Sequence, residues 1–196
     1  SYQIAQLIYD VTLRFCDRYI DRRSRTRDQM VQATRSGAQN IAEGSQASGT
    51  SKKMELKLTN VARASLEELR LDYEAFLRHK KFERWDPYDP RNADRLARGP
   101  KTADDVAMWA RAVHDNNSSV CQAKSGETSI KSIESISSIP QEPPTYPEIA
   151  SNGALALIAV ATSLLDRQLA AQSKYFLEEG GFTERLHRIR TERRQH

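Results

Sequence analysis

The sequence predicts an all-α protein in which four long helices form a bundle, with a long insertion between the third and fourth helices and a basic C-terminal segment. Three observations predict this fold class. Apolar residues recur at spacings of three and four along most of the chain. No strand-like alternation is long enough to matter, and the third helical segment is long enough to need antiparallel partners.

The first two helices are predicted from apolar stripes of different character. The second helix is expected to begin at Thr26 as N-cap, with Gln29 completing a capping box, and to stop at Gly44 before a turn. Its stripe consists mostly of small residues, which predicts a close approach to a neighbouring helix. The first helix instead carries bulky side chains, namely Ile4, Leu7, Ile8, Val11, Phe15 and Tyr19.

The third and fourth helices differ in how much of their surface is apolar. The third is expected to be capped by Thr50 or Ser51 and to run to about residue 81, a rod of roughly 45 Å. The fourth is expected to be capped by Asn152 and to end at Gly180 and Gly181. Between residues 154 and 165 its apolar residues occupy every face, so we expect the insertion or another subunit to cover it.

The chain is interpreted as one domain in three stretches. Residues 1–84 hold helices one to three, residues 85–150 form the insertion, and residues 151–196 hold the fourth helix and a basic tail. Within the insertion, Thr102 is expected to cap a short helix that ends near residue 114. Residues 118–147 are rich in Ser, Gly and Pro and are expected to form a flexible loop.

Composition permits contact with nucleic acid but does not demand it. The 196 residues carry a formal net charge of +4 and give a pI of about 9.1. Cys16 and Cys121 lie far apart without metal-ligand spacing and are expected to be free thiols. No signal-peptide pattern is found, and the apolar run 149–165 looks too short and too polar to span a bilayer. We therefore expect a cytoplasmic protein without membrane contact.

A catalytic or cofactor site is not predicted. The histidines at positions 79, 114, 187 and 196 are scattered, without the i, i+4 spacing of a zinc site. No serine lies in a nucleophile-elbow motif, and no nucleophile–base pair can be assigned. The sequence therefore predicts no metal, no cofactor and no enzymatic activity.

The basic residues fall into three clusters, at the first interhelical turn, along one edge of the third helix and at the C-terminus. Such clusters neutralise phosphates, although interleaved acids fit a solvated surface equally well. No aromatic residues interleave with them, so the expected cues are backbone and shape rather than base stacking. The candidate nucleic-acid-binding residues are Arg22, Arg23, Arg25, Arg27, Lys52, Lys53, Lys57, Arg63, Arg70, Arg185, Arg188, Arg190, Arg193 and Arg194.

Two short motifs connect residues 29–77 to a known family. They are NIAEG at residues 40–44, with Arg35 and Ser36 upstream, and ASLEEL at residues 64–69. With these motifs the segment resembles the four-helix-bundle family that includes large-subunit ribosomal RNA intervening-sequence proteins. Residues 152–190 look like the suffix of a longer subfamily. The insertion departs from the short members, in which a brief turn joins the last two helices.

The resemblance implies a left-handed up-down bundle that forms homo-oligomers, with a ring-like homopentamer favoured, and it implies no catalysis. Relatives include accessory variability determinants of diversity-generating retroelements, basic barrels thought to bind nucleic acid and a reverse transcriptase. Within the shared motifs, Arg35, Asn40, Glu43, Gly44 and Glu67 are interpreted as a structural motif rather than a ligand site. Buried polar residues normally bond to local partners.

The favoured hypothesis is a non-enzymatic, oligomeric nucleic-acid-binding bundle, for RNA or DNA, acting as an accessory factor of a reverse transcriptase. One alternative is a protein-interaction scaffold whose basic surface serves only solubility. Another is an enzyme whose site lies in the unmatched insertion.

Overall fold

The computed structural model describes residues 1–86, 89–92, 98–125, 144–179 and 190–191, and the regular structure of these residues is entirely helical. The prediction of an all-α protein is therefore confirmed. Within the described residues five long helices follow one another: α1 (Tyr2–Tyr19), α2 (Arg25–Ala47), α3 (Lys52–Lys80), α4 (Ala103–Ser125) and α5 (Tyr146–Glu179).

Helices that pack side by side run antiparallel. α2 packs on α3, α1 packs on α2 and on α5, and α3 packs on α5. Near the start of α3, Glu55 accepts a hydrogen bond from Gln172, which lies late in α5. Across the core, α1 and α3 run parallel: the Tyr73 hydroxyl donates to Thr12 at 3.1 Å, and the Phe15 and Phe76 rings lie 5.0 Å apart.

α2 begins earlier and ends later than its sequence suggests. The predicted cap at Thr26 is wrong: Ser24 is the N-cap, and its hydroxyl accepts from the Thr26 backbone N–H at 3.2 Å. Ser24 has the extended backbone that an N-cap requires, so it takes the role two residues earlier. The predicted stop at Gly44 is also wrong, since α2 continues to Ala47.

The small residues of α2 allow α3 to lie close to it, as predicted. Gly44 is buried, and a Cβ built on it would lie 3.4 Å from the Cβ of Leu58. A Cβ on Gly37 would lie 3.1 Å from the Leu66 side chain, tighter than ordinary van der Waals contact. Gly44 therefore serves close packing rather than helix termination.

Both ends of α3 are fixed by specific hydrogen bonds. Ser51 caps its start by accepting from the Met54 N–H at 3.3 Å, which confirms one of the two predicted caps. The helix ends at Lys80, and Lys81 adopts the left-handed conformation that closes many helices, with φ of 56°.

Asn152 joins the chain after α3 to α5. Its predicted role as a helix cap is wrong, because α5 begins at Tyr146 and Asn152 lies buried inside it. The side-chain oxygen accepts from the Trp85 N–H at 2.9 Å. The side-chain amide donates to the carbonyls of Glu83 at 2.9 Å and Glu148 at 3.0 Å. A buried amide thus replaces the expected cap by satisfying backbone groups from two segments.

α4 arises from the insertion and is longer than predicted. Thr102 caps it as expected: its hydroxyl accepts from the Asp105 N–H at 3.2 Å, and Asp105 accepts from the Thr102 N–H at 2.9 Å. The helix continues to Ser125, so the expected loop at residues 118–125 is wrong. No glycine or proline occurs between residues 103 and 125 to stop it. Residues 126–143 of that expected loop lie outside the described residues.

α5 is covered by three helices, including the one from the insertion. Trp109 of α4 is 1 % exposed and lies against Gly153, where a Cβ would stand 2.5 Å from the indole ring. α4 therefore covers the beginning of α5, whereas Ala159 and Ser163 within residues 154–165 remain exposed, so the expected cover is present only in part. α5 begins at Tyr146, which lies within the stretch 85–150 that the sequence analysis assigned to the insertion.

The apolar part of α5 is longer than the run 149–165 that the sequence analysis considered. By length and composition alone, the stretch Tyr146–Glu178 would be sufficient to cross a membrane, so the expectation that it is too short and too polar is wrong. In this structure 56 % of its most apolar window is buried. Burial against α1, α3 and α4 is what a core helix shows.

The Trp109–Gly153 contact gives a direct test of this packing. We expect Gly153→Ala to lower the free energy of unfolding by about 1–3 kcal/mol through overpacking, although alanine is the better helix former. Gly49→Ala is the matched control, since a Cβ there meets nothing within 4 Å. Urea denaturation followed by circular dichroism measures both. Equal stability of the two variants would contradict the packing of α4 on α5.

Candidate nucleic-acid interface

The cations on the edge of α3 are held by carboxylates. Arg63 pairs with Asp166 of α5. Lys52 lies 3.0 Å from a carboxylate oxygen of Glu55 and faces the Tyr175 ring at 5.5 Å. The predicted basic edge therefore lies along the contact between α3 and α5, where its charges are largely compensated.

Arg70 is the most strongly held member of this edge. It lies 2.6 Å from Glu67 and also pairs with Glu74, which accepts a second ion pair from Arg84 at 2.8 Å. The hydrogen bond from Arg70 lowers the pKa of Glu67, and the two carboxylates raise the pKa of Arg70. The ion pairs with Glu67 and Glu74 thus give Arg70 a structural role that does not require a bound phosphate.

The remaining candidates outside the first turn are distributed differently. Lys53 and Lys57 are exposed near the start of α3, and neither forms an ion pair with another described residue. Arg190 is exposed in a short helical stretch. Arg185, Arg188, Arg193 and Arg194 lie outside the described residues, so their role stays a prediction.

The turn between α1 and α2 presents free arginines. Arg22, Arg23 and Arg25 are exposed, and none of them has an ion-pair partner in the part of the chain that the structure describes. Arg25 lies in the first turn of α2, where the helix dipole disfavours a positive charge, so helix stability does not explain it. Arg27 differs because it pairs with Asp17 at 2.8 Å, which raises its pKa.

Further cations from α3 lie at the same end of the molecule. α1 and α3 run parallel, so the C-terminal turn of α3 is adjacent to the α1–α2 turn. The combined surface is called the basic pole below. It comprises Arg18, Arg22, Arg23, Arg25, Arg78, Lys80 and Lys81, all exposed and without an ion pair to any described residue.

Sequence reasoning missed the α3 part of this pole. Arg78, Lys80 and Lys81 form a visible basic run, but cations at a helix C-terminus are ordinary because they complement the helix dipole. Their proximity to Arg22 appears only once α1 and α3 are known to run parallel. Four exposed acids lie near these cations in the sequence, namely Asp17, Asp21, Asp28 and Glu83. Asp17 pairs with Arg27, and Asp21 accepts from the Arg23 backbone N–H at 2.8 Å. The seven cations outnumber the four acids, so the pole is positive on balance.

Asn40 of the NIAEG motif bonds to Ser36, which in turn links α2 to α3. The Asn40 amide donates to the Ser36 carbonyl at 2.8 Å and contacts the Ser36 hydroxyl at 3.2 Å. That hydroxyl lies 2.9 Å from the hydroxyl of Ser65 on α3. These contacts support the structural interpretation of the motif.

The other members of the proposed structural motif have varied surroundings. Gly44 packs against Leu58, and Glu67 pairs with Arg70. Arg35 and Glu43 are exposed and form no ion pair within the described ranges. Asn40 therefore bonds within α2 and contacts the Ser36 hydroxyl, which links α2 to Ser65 of α3.

Burial perturbs two titratable groups of the core. Burial raises the pKa of the Cys16 thiol to about 11 and also raises the pKa of Tyr73, whose hydroxyl bonds to Thr12. Among the residues that the structure describes, no group of three or more His, Cys, Asp or Glu is arranged to hold a metal ion.

Comparisons of the chain with protein-family models, curated proteins and solved structures find no match. The functional argument therefore rests on the geometry of the surface.

Asn40 allows the structural role of the NIAEG motif to be separated from ligand binding. We expect Asn40→Ala to lower the free energy of unfolding by about 1 kcal/mol, because the hydrogen bonds to Ser36 are lost. We expect no change in affinity for nucleic acid, measured by fluorescence anisotropy on the same sample. A loss of affinity at unchanged stability would assign Asn40 to a ligand site instead.

Asp72 gives a pH-dependent test of the interior. It is half-buried on α3, and burial raises the pKa of its carboxyl, with a further contribution from the charge of Glu68. Because the pKa is higher in the folded state, the stabilising effect of the protonated form is lost as pH rises through that pKa. Ionised Asp72 therefore destabilises the protein at neutral pH.

We expect Asp72→Asn to raise the stability at pH 7, because the amide carries no charge to desolvate. The gain should shrink as pH is lowered towards 3.8, the ordinary value for aspartate. Urea titrations across this range measure the difference. A gain that is independent of pH, or a loss at pH 7, would show that Asp72 has a stabilising partner.

Proposed function

We propose that this protein is a non-enzymatic nucleic-acid-binding protein whose basic pole holds the phosphate backbone of RNA or DNA. The observation that supports this proposal most is the contrast between two groups of cations. Those along the α3–α5 contact have carboxylate partners, whereas the seven at the pole are exposed and have none among the described residues.

Free, clustered arginine side chains suit phosphates for a physical reason. Each phosphate that they neutralise releases condensed counterions, which supplies an affinity that falls steeply with salt. The guanidinium group also presents several donors in a plane that matches phosphate oxygens. The aromatic residues nearest the pole, Tyr19 and Phe82, are partly buried against the core, so recognition is expected to follow the backbone rather than the bases.

We further propose that α1, α2, α3 and α5 form a left-handed up-down four-helix bundle, with α4 as its insertion, and that the chain assembles into a homo-oligomer. The antiparallel pairing of neighbouring helices supports the up-down arrangement. The pentamer, the cytoplasmic location and a role as accessory factor of a reverse transcriptase in a diversity-generating retroelement rest on the resemblance. A ring of five subunits would multiply the subunit charge of +4.

A protein-interaction scaffold is the second candidate. The outer face of α3 exposes three large apolar side chains, with Met54 at 46 %, Val61 at 40 % and Leu71 at 52 %. Exposed apolar residues along one helix suit a partner surface. This candidate requires a stable protein complex and no salt-dependent binding of nucleic acid.

The proposal is tested with two double variants that remove equal charge. Arg22→Gln/Arg23→Gln takes two cations from the pole, and Arg63→Gln/Arg70→Gln takes two from the ion-paired edge. We expect the pole variant to weaken binding roughly tenfold or more at about 0.1 M salt and to reduce the log–log salt slope by about two. The edge variant should have a much smaller effect on the affinity.

The affinity is measured with labelled duplex DNA and structured RNA at low and physiological salt, and light scattering gives the oligomer mass of the same sample. Equal losses in both double variants would show that bulk charge, and not the pole, controls binding. No binding of wild-type protein to either nucleic acid at low salt would rule out the proposal and favour the scaffold. A monomeric mass would rule out the oligomer.

A further inference from the structure

A cavity of about 280 Å³ lies where α1, α4 and α5 meet. Its apolar wall includes buried Val11, Phe15, Val106 and Ala110, and α5 adds the partly buried Ala150. Sites for small ligands usually enclose about 300–1,000 Å³ and are mainly apolar with a few polar groups. This cavity therefore suits a small ligand and not a polymer segment.

The cavity exists because the side chains that α4 contributes to its wall are small and leave space unfilled. Ala103, Ala107 and Ala110 line it from α4, opposite the aromatic ring of Phe15. The Phe15 ring is fixed by Tyr73 at 4.9 Å and by Phe76 at 5.0 Å, so it does not turn to fill the space. The walls are thus held by contacts that lie outside the cavity itself, which makes the cavity preformed.

Charged and aromatic groups stand at its rim. Arg14 is held by Asp104 at 2.7 Å and donates to the Ala103 carbonyl at 3.2 Å. Arg18 and Arg111 also line the cavity but form no ion pair with any residue that the structure describes. An uncompensated guanidinium beside an apolar wall attracts an anion more strongly than it would in open solvent.

The rim is also rigid on the side of α5. The Tyr146 ring stacks on His114 of α4, with centroids 4.3 Å apart and planes 12° from parallel. Tyr146 is one of the lining residues, and it therefore offers a fixed aromatic surface near the free arginines. A ligand that fits the apolar walls, the fixed ring and the two unpaired cations would therefore need an apolar body and a negative charge.

We propose that this cavity binds a small organic anion with a compact apolar body, of the class of aromatic or branched-chain carboxylates. The apolar body lies against Phe15 and Val106, and the carboxylate bonds to Arg111 and Arg18. Bound in this way, the ligand contacts three helices and stabilises the packing of α4 on α1 and α5. The site shares Arg18 with the basic pole, but Arg111 and the alanines of α4 lie outside the pole, so substitutions on α4 test the cavity independently of the proposed function.

The test uses two probes of matching shape, 2-naphthoate and the uncharged 2-naphthamide, with wild-type protein and ligand-observed NMR. We expect 2-naphthoate to bind with the higher affinity and to show intermolecular nuclear Overhauser effects to the methyl groups of Val106 and Ala110. Arg111→Gln should weaken 2-naphthoate about tenfold or more and leave 2-naphthamide unchanged, because only the anion loses a charge-assisted hydrogen bond.

Two substitutions on α4 separate the cavity from the rest of the surface. Ala107→Phe should remove binding of both probes by filling the cavity, whereas Met108→Phe, at an exposed position beside it, should change neither. Circular dichroism checks that each variant is folded. Absence of 2-naphthoate binding to wild-type protein, equal affinity for both probes, or binding that survives Ala107→Phe would overturn the proposal.

Discussion

The burial of α5 connects the other described helices, because α1, α3 and α4 all pack against it. α1 and α3 flank this apolar helix, and α4 covers its beginning by placing Trp109 against Gly153. Asn152 then bonds to the backbone of Glu83 and Trp85, which follow α3. The chain between α3 and α4 is therefore fixed to the same helix that α4 packs against. α4 is consequently part of the core, with Trp109 only 1 % exposed.

The same packing divides the cations into two groups. Where α3 meets α5, Arg63 forms an ion pair with Asp166, and Arg70 forms ion pairs with Glu67 and Glu74. Such partly exposed ion pairs stabilise a fold only weakly, by about 0–1 kcal/mol, but they do cancel charge. At the end where α1 and α3 terminate, no described carboxylate forms an ion pair with Arg22, Arg23 or Arg25, so these arginines keep their charge. The proposed binding of nucleic acid rests on this difference in pairing rather than on the total charge.

Periodicity and capping chemistry made much of the fold predictable. The stripe of α1, the Ser51 cap and the Thr102–Asp105 capping box are local patterns that need no tertiary information. The cap of α2 was misplaced because Ser24 and Thr26 are both good N-caps, and only the backbone conformation distinguishes them. Asn152 was misassigned because its partners lie at residues 83 and 85, which no local pattern connects to it. The pole was predicted only in part, since Arg78 and Lys80 join Arg22 through the parallel arrangement of α1 and α3.

The central claim is that phosphates contact the pole and not the ion-paired edge, and arginine modification tests it most directly. Phenylglyoxal labels accessible arginines, and mass spectrometry compares the labelling with and without bound duplex DNA or structured RNA. The account predicts protection of Arg22, Arg23 and Arg25, with Arg63 and Arg70 unchanged by the nucleic acid. Protection of Arg63 and Arg70 without protection of the pole would contradict it.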